Sequence, residues 1–273
     1  MNRKFKYSDV SNDPLSKNPA HQFAQRFALD IYLSDSIYTF IPKNACSTLR
    51  FSIAIENGCL TPNSDVHWIH SNNATFRASL YSLMKARFTF LILRCPFSRV
   101  ISAFLDKFLE RTPDSWAYYQ HTGRVIELNE LTFRDFILSL KKPTYLNTNI
   151  HWRPQSDFLV YENYDEYFAL EEFDRCEKVL KDKIGLKIHD TRNLLNHYSS
   201  GKATKHVERA WELSVLELMT LKSQGALPDY QSFYSKQIKN VVKRIYKKDF
   251  DLYINKIGVQ HLLMSSDENL KIN

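Results

Sequence analysis

The feature that most constrains the fold is a continuous apolar run, Arg87–Arg94, which is bounded by arginines and followed closely by Pro96. A run that is apolar at nearly every position is typical of a strand buried on both faces of a parallel sheet. A second run, Ser36–Ile41, is rich in β-branched and aromatic residues and stops at Pro42. Such a segment predicts a short buried strand.

Each predicted strand leads through a polar loop into a predicted helix. The first helix is expected to be capped by Ser47 and Thr48 and to stop at Asn57-Gly58. The second follows Pro96, and its apolar residues recur at the spacing of one buried helix face. Because parallel strands place their carboxyl ends at one sheet edge, both loops are expected at a ligand-binding edge. The pattern predicts an α/β fold with a central parallel sheet flanked by helices and a P-loop-like nucleotide-binding core.

The remainder of the chain gives coarser predictions. At 273 residues, the length and ordinary composition suit a single domain. We expect an N-terminal arm (1–30), a donor-binding core (31–195) and a mostly helical C-terminal part (196–273). Further helices are predicted over 22–29, 74–85, 132–140, 173–180, 207–225 and 230–253, and a further strand is predicted over 157–161.

Charge and cysteine usage narrow the partners and the location. The net charge of +7 favours an anionic partner, which includes nucleotides, acidic glycans, nucleic acid and membrane surfaces. The four cysteines are far apart and have no metal-ligand spacing, so we expect free thiols, a reducing compartment and no metal site. No apolar run reaches the length of a membrane span, and the start has no signal-peptide core. If the chain is complete, it is expected in the cytoplasm.

The first loop has the residues of an anion site. A loop that enters a helix presents unpaired N–H groups and the positive end of the helix dipole, which together bind phosphate. The spacing does not match the GxxxxGK[ST] loop of nucleotide triphosphatases. A plain helix cap with an exposed lysine is the alternative for this loop. The candidate residues are Pro42, Lys43, Asn44, Ala45, Cys46, Ser47 and Thr48.

The second loop places Arg94 at the tip of the apolar strand, where a fixed, multiply donating cation suits a phosphate. Together, the two loops resemble the two donor-binding signatures of the sulfotransferase superfamily. The likeness is closest to the carbohydrate branch, which includes Golgi chondroitin, dermatan and HNK-1 sulfotransferases and many bacterial homologues. The second signature is represented by Arg94, Pro96, Arg99, Ser102, Ala103 and Lys107.

The resemblance implies a fold, a donor and a reaction. The implied donor is 3'-phosphoadenosine 5'-phosphosulfate (PAPS), the product is adenosine 3',5'-bisphosphate, and no metal is required. Lys43, Asn44, Ser47 and Thr48 would hold the 5'-phosphosulfate, and Arg94, Arg99 and Ser102 the 3'-phosphate end. The acceptor would be a hydroxyl of a glycan or glycolipid.

The Golgi members of this branch carry a membrane anchor and disulfides, and this sequence shows neither sign. A cytoplasmic, bacterial protein is therefore expected, with the Golgi lumen as the location only if an anchor has been removed. The oligomeric state is left open.

The acceptor hydroxyl needs a general base, and histidine has a suitable pKa. His67 is the favoured candidate and His70 the near alternative, while the competing interpretation for both is a polar loop histidine without a role. A carboxylate base stays open. His151, Arg153 and Gln155 are expected to contact substrate, with a structural role as the alternative for His151.

Three other functions compete with an active sulfotransferase. A catalytically inactive nucleotide-binding homologue would keep the loops and lose the base. A small-molecule kinase-like phosphoryl transferase would need a glycine-rich loop and a metal-binding acidic residue, and neither is evident. A nucleic-acid binder is disfavoured, because basic residues are scattered and no helix-turn-helix, RNA-binding strand motif or zinc signature occurs.

Overall fold

A computed structural model describes residues 3–10, 12–191 and 203–264. The strands are β1 (Ala28–Ile31), β2 (Ser36–Thr39), β3 (Phe88–Leu93), β4 (Glu166–Ala169), β5 (Ala203–Lys205) and β6 (Ala226–Pro228). The helices are α1 (Pro19–Gln25), α2 (Cys46–Glu56), α3 (Trp68–Ser71), α4 (Leu80–Lys85), α5 (Pro96–Leu109), α6 (Pro113–His121), α7 (Phe133–Ser139), α8 (Pro143–Leu146), α9 (Phe173–Ile184), α10 (Val215–Ser223), α11 (Lys236–Ile245) and α12 (Lys247–Lys256).

The chain divides into two compact units. The first comprises Met1–Arg94 and Gln155–Leu195, and the second comprises Cys95–Pro154 and Asn196–Asn273. The chain therefore leaves the first unit after Arg94 and re-enters it at Gln155. The single domain expected from the length, with its arm, core and helical part, stays a prediction.

The main sheet lies wholly in the first unit and has the order β1-β2-β3-β4. Strands β2, β3 and β4 are parallel, and β1 pairs antiparallel to β2 at one edge. Thr39 is in register with Leu91, so β3 extends beyond β2 by the length of its last two residues. The predicted parallel sheet is confirmed, with an antiparallel edge strand added.

Side chains of β3 form the centre of the first unit. Phe90, Leu91 and Ile92 are at most 1 % exposed, and Tyr38 of β2 stacks on Phe90 with ring centroids 5.1 Å apart. Complete burial of such a side chain contributes roughly 1.5–3 kcal/mol. On β4, the Phe168 ring lies 5.2 Å beneath the Arg175 guanidinium of α9. The apolar run recognised in the sequence is thus the strand around which this unit packs.

The second unit has an aromatic core built on α5. Phe104 and Phe108 lie on one face of this helix and contact Phe136 of α7, with centroids 5.4 and 5.2 Å away respectively. Trp152 is 1 % exposed and packs against Phe136 at 5.5 Å. The four-residue spacing that predicted α5 therefore describes its buried face correctly.

Two N-terminal predictions are partly wrong. The helix predicted over 22–29 is α1, which begins earlier, after the Asn18 cap, and gives way to β1 at Ala28. Pairing with β2 outweighs the helical preference of this short apolar segment. The helix predicted over 74–85 begins only at Leu80, after the Ser79 cap, because Arg77 makes a β-bridge with Leu29.

The later predictions also need correction. The strand predicted over 157–161 is wrong, since Gln155–Phe158 forms a 3₁₀ turn and the next strand is β4. The helix predicted over 207–225 is confined to α10, which starts at the Ser214 capping box. The segment predicted over 230–253 is two helices that meet at Tyr246. The helices predicted over 132–140 and 173–180 are confirmed as α7 and α9.

Candidate functional site

Both polar loops begin at the carboxyl edge of the parallel strands. The first loop follows β2 and leads into α2, while Arg94 directly follows β3. The Arg94 guanidinium Nη1 donates a hydrogen bond to the Lys43 carbonyl oxygen at 2.9 Å. The expectation that the two strand ends bring Lys43 and Arg94 together is therefore met within the first unit. Both side chains are half-buried.

The backbone of the first loop has an unusual conformation. Lys43 and Ala45 have φ angles of 73° and 55°, in the left-handed region that favours glycine. Ala45 is the N-cap of α2, and the left-handed Ala45 followed by helical Cys46 is a backbone pattern that forms anion-binding nests. Non-glycine residues held in this region are typical of functional sites.

The structure places the predicted capping residues inside α2. Ser47 is half-buried in the first turn, and the N-cap has no side-chain capping hydrogen bond. Thr48 is 8 % exposed, and its Oγ1 lies 2.9 Å from Thr191 Oγ1. The capping prediction is wrong, since the loop enters the helix through the strained Ala45. In this structure the Thr48 hydroxyl contacts Thr191.

A buried amide pair connects the two strand ends. Asn44 Nδ2 donates to the Ile92 carbonyl at 2.8 Å and to Gln155 Oε1 at 2.7 Å. Gln155 Oε1 also accepts from the Arg94 backbone N–H at 3.1 Å, and its Nε2 donates to the Arg94 carbonyl at 2.9 Å. Asn44 and Gln155 are both 0 % exposed. Gln155 is thus a buried brace here, where the sequence predicted a substrate contact.

The two candidate base histidines lie on a short helix in the first unit. His67 is the N-cap of α3 and His70 lies within it; both are exposed, with ring centroids 6.1 Å apart. The helix packs on α2 through a cluster of Phe51, Val66 and Ile69. Arg50 of α2 also donates to the Ile69 carbonyl. These contacts attach the histidine-bearing helix to the helix that carries the first loop.

In the second unit, Arg99 is buried. It is 2 % exposed, and its guanidinium donates to the carbonyl oxygens of Arg153 at 2.8 Å and Ile150 at 3.3 Å. These bonds hold the 150–153 segment, and the donor contact expected of Arg99 stays a prediction. Ser102 is half-buried on α5. Arg153 is half-buried and donates to the Asn147 carbonyl at 3.2 Å.

His151 belongs to a charged cluster in the second unit. Its Nε2 lies 3.6 Å from Asp114 Oδ2, and Lys107 Nζ lies 3.4 Å from the same oxygen. Asn149 Nδ2 donates to Asp114 Oδ1 at 2.7 Å. Burial acts to raise the pKa of Asp114, but His151, Asn149 and Lys107 outweigh it and hold that pKa below its ordinary value. These contacts support the structural alternative for His151.

Sequence reasoning missed the partners of Gln155 and His151. Gln155 lies 111 positions from Asn44 and 61 from Arg94, so no local spacing joins them. Asp114 was not singled out because it follows a proline at the start of a helix, where an acidic residue is ordinary. Only the fold brings these residues together.

The architecture and the two loops agree with the comparisons with known proteins. The model of the Sulfotransferase family matches residues 35–254. Since the match covers most of the chain, this protein belongs to the sulfotransferase family.

The curated relatives narrow the branch. They include carbohydrate sulfotransferase 10 of Homo sapiens and of Gallus gallus, each 28 % identical over 161 residues, and that of Xenopus laevis, 29 % identical over 164 residues. Each alignment covers 50 % of this chain and 45 % of the relative, so the chain spans about half the length of the curated relatives it matches. The resemblance to the carbohydrate branch is confirmed. No solved structure matches the chain.

The relatives overturn the expected location. The expectation of a cytoplasmic, bacterial protein is contradicted, because the matched relatives are animal carbohydrate sulfotransferases. Across the described ranges, no helix has both the length and the apolar character needed to cross a membrane. All four cysteines, Cys46, Cys59, Cys95 and Cys176, are free thiols.

Proposed function

We propose that this protein transfers a sulfuryl group from PAPS to a hydroxyl of a carbohydrate-type acceptor. One observation carries the proposal. The guanidinium of Arg94, from the second family motif, bonds the backbone carbonyl of Lys43, from the first, so the two motifs meet at one sheet edge within the first unit. The family match and the carbohydrate sulfotransferase relatives support the same reaction. They favour it over the kinase-like alternative.

The residues at this edge fit an anionic nucleotide. The left-handed Ala45 and the N-terminus of α2 offer backbone N–H groups to a phosphate, and Lys43 adds a full positive charge. Arg94, at the end of the next strand, would bind the 3'-phosphate, while the donor contact of Ser102 stays a prediction from the family motif. Arg99 is assigned to holding its own loop, because it is only 2 % exposed and its guanidinium donates to two carbonyl oxygens.

The bound donor supplies the sulfuryl group, whose bond to the phosphate oxygen breaks as a bond to the acceptor hydroxyl forms. Such in-line transfer is assisted mainly by positioning and by cations that meet the developing charge. Lys43 would stabilise the negative charge that builds on the departing phosphate oxygen. The dipole of α2 acts in the same direction.

Removal of the acceptor proton is assigned to His67, with His70 as the alternative. Both rings are exposed, and their helix is fixed to α2 by the Arg50 bond and the small apolar cluster. A base attached to the helix of the donor loop can be held in a constant relation to the transferred group. General base catalysis of this kind contributes roughly 10²–10⁴ in rate.

The test compares the binding of two nucleotides by calorimetry. The wild type is expected to bind adenosine 3',5'-bisphosphate at least about ten-fold more tightly than adenosine 5'-monophosphate, because a charged hydrogen bond to the 3'-phosphate contributes roughly 1.5–3 kcal/mol. Arg94→Ala should remove most of that preference. Arg87→Ala is the matched control, since Arg87 precedes the same strand and its side chain is 80 % exposed.

Two results would count against the proposal. Equal affinity of the wild type for both nucleotides would reduce the two loops to general anion sites. A preference that survives in Arg94→Ala would remove Arg94 from the donor site. If the preference holds, a screen of glycan acceptors with radiolabelled donor then tests sulfuryl transfer and separates an active enzyme from an inactive homologue.

A further inference from the structure

Gln155 makes an unusual pair of hydrogen bonds with one residue. Its amide nitrogen donates to the Arg94 carbonyl at 2.9 Å, and its amide oxygen accepts from the Arg94 N–H at 3.1 Å. A neighbouring strand would make the same two bonds to a residue of β3. The Gln155 side chain therefore continues the sheet ladder at the point where β3 ends and fixes the backbone from which the Arg94 guanidinium extends.

The same amide oxygen reaches the first loop. It accepts from Asn44 Nδ2 at 2.7 Å, and Arg94 returns a bond from its guanidinium to the Lys43 carbonyl at 2.9 Å. Lys43 and Asn44 are adjacent in the chain. The contacts of Asn44 with Gln155, of Gln155 with Arg94 and of Arg94 with Lys43 therefore form a closed ring. All four residues belong to the first unit. The ring sets where the Arg94 cation lies relative to the Lys43 loop.

One atom of the ring, Asn44 Oδ1, lowers the stability of the fold. Asn44 is fully buried, and its Oδ1 has no hydrogen-bond partner among the described residues. A buried acceptor without a partner costs free energy that an apolar side chain would avoid. What the asparagine contributes is the pair of bonds from its nitrogen, to Ile92 and Gln155, which join the loop to the end of β3.

The residues that directly follow Gln155 are held by the N-terminal arm. Lys6 donates through its side chain to the Ser156 carbonyl and through its backbone N–H to the Val160 carbonyl at 3.0 Å. Tyr7 donates its hydroxyl to the Asp157 carbonyl at 3.2 Å. The arm precedes the region that the family model matches, which begins at residue 35. The segment that carries Gln155 is therefore fixed at several backbone positions directly after the glutamine.

We infer that Gln155 is a positioning residue that holds Arg94 at the separation from Lys43 required by a 3'-phosphorylated nucleotide, and so determines the preference for that nucleotide. The inference rests on the proposed function, in which Arg94 binds the 3'-phosphate. In this role Gln155 contacts neither the donor nor the acceptor. It also predicts that the preference, more than general nucleotide affinity, depends on the Gln155 amide.

The first experiment measures Kd for adenosine 3',5'-bisphosphate and adenosine 5'-monophosphate in the full chain. Q155M keeps the approximate length and volume of the side chain and removes both kinds of hydrogen bond. The ratio of the two Kd values is expected to fall roughly ten-fold, which corresponds to about 1.4 kcal/mol. The matched control is Q25M, because Gln25 makes a single side-chain bond, to the Ala78 carbonyl, in the same unit. Q25M should keep the wild-type ratio.

The second experiment uses Q155E as a pH-dependent rescue. A neutral carboxylic acid has one donor and one acceptor, as the amide requires here, whereas a carboxylate only accepts. Burial raises the pKa of a carboxyl group. The nucleotide preference of Q155E should therefore be lost at pH 8 and recover at pH 5.5, each value being compared with the wild type at the same pH. A variant that is merely destabilised has no reason to recover its preference on acidification.

The outcomes separate this inference from the proposed function. If the wild type itself shows no preference for the 3'-phosphorylated nucleotide, the proposed function fails. Two results for Q155M would overturn the positioning role, provided that the wild type shows the preference. In one, Q155M keeps the preference; in the other, Q155M binds both nucleotides more weakly by the same factor. If Q155M does not fold, Q155E decides: a wild-type ratio at both pH values overturns the role, and loss at pH 8 with recovery at pH 5.5 supports it.

Discussion

The two units each contain a polar network, and the networks differ in charge and burial. In the first unit, the side chains of Asn44 and Gln155 are neutral amides with no exposed surface. In the second, Lys107, His151 and Asp114 are ionisable, with side chains 14 %, 21 % and 29 % exposed. A neutral buried network avoids the desolvation cost of charge and does not titrate, whereas the charged cluster depends on pH.

This difference suggests a division of roles. The amide network bonds the backbone of Ile92 and Arg94, so removing its hydrogen bonds, as in Q155M, should affect nucleotide selectivity and activity at any pH. The charged cluster bonds side chains near the start of α6 to the 149–151 segment, so changes there should appear in stability near neutral pH and should fade in acid. Each role can be tested by substituting one residue beside a matched control.

The largest expected effect is on activity, from Lys43→Ala. Loss of the cation that meets the developing charge should lower kcat of sulfuryl transfer roughly 10²–10³-fold, by analogy with removal of one oxyanion donor. The midpoint of thermal unfolding should stay within a few degrees of the wild type. Lys181→Ala, an exposed lysine on α9, is the control and should leave both quantities unchanged. A large loss of stability with an unchanged kcat would contradict the proposed division of roles between the two networks.

The next effect is on stability, from Asp114→Asn. Removing the carboxylate should cost about 1–3 kcal/mol in the free energy of unfolding near neutral pH, because Lys107 and His151 lose their charged contact with Asp114. The folded pKa of Asp114 is depressed, so its stabilisation is present above the unfolded pKa of about 3.9 and is lost as pH falls through the lower folded value. Urea titrations at pH 6, 4 and 3 measure this loss.

The wild type and Asp114→Asn should approach each other in stability at the lowest pH. The comparison with Q155M sharpens the result, since any stability lost there should be independent of pH across the same range. A constant gap between the wild type and Asp114→Asn at all three pH values would mean that the Asp114 charge contributes nothing to folding.

The smallest expected effect comes from Ala45→Gly in the first loop. The left-handed φ of 55° costs an alanine roughly 1–2 kcal/mol, and the greater chain entropy of glycine offsets part of the relief. The variant should therefore be more stable than the wild type by about 0.5–1 kcal/mol in chemical denaturation. Ala74→Gly, at a position without positive φ, should be neutral or destabilising. Loss of stability in Ala45→Gly would contradict the assigned strain.

Elements that depend on local patterns were predicted correctly from the sequence. Arg87–Arg94 was predicted as a buried strand because its central apolar run is too short for a typical helix and Pro96 follows closely. The spacing of Phe104 and Phe108 fixed α5 and its buried face. The lysine and arginine that follow the two strands were brought together because parallel strands share their carboxyl edge.

The remaining features depend on distant contacts. Ala28 joined β1 because β2 offers a pairing edge, which outweighs the helical pattern of its own segment. Gln155 was assigned to substrate because no sequence feature indicates that its amide completes the end of β3. Arg99 was assigned to the donor for a similar reason, since burial against the Arg153 carbonyl is invisible without the fold.

The position of Gln155 opposite Arg94 has a consequence for how this chain can diversify. The stretch from Cys95 to Pro154 leaves and rejoins the first unit between two residues joined by a pair of hydrogen bonds. A stretch whose ends meet at a fixed point can vary in length while the pairing of Arg94 with Gln155 keeps its geometry. The second unit also contains the C-terminal part of the chain, so variation in this stretch must preserve the packing of α5 and α7 against α10 and α11.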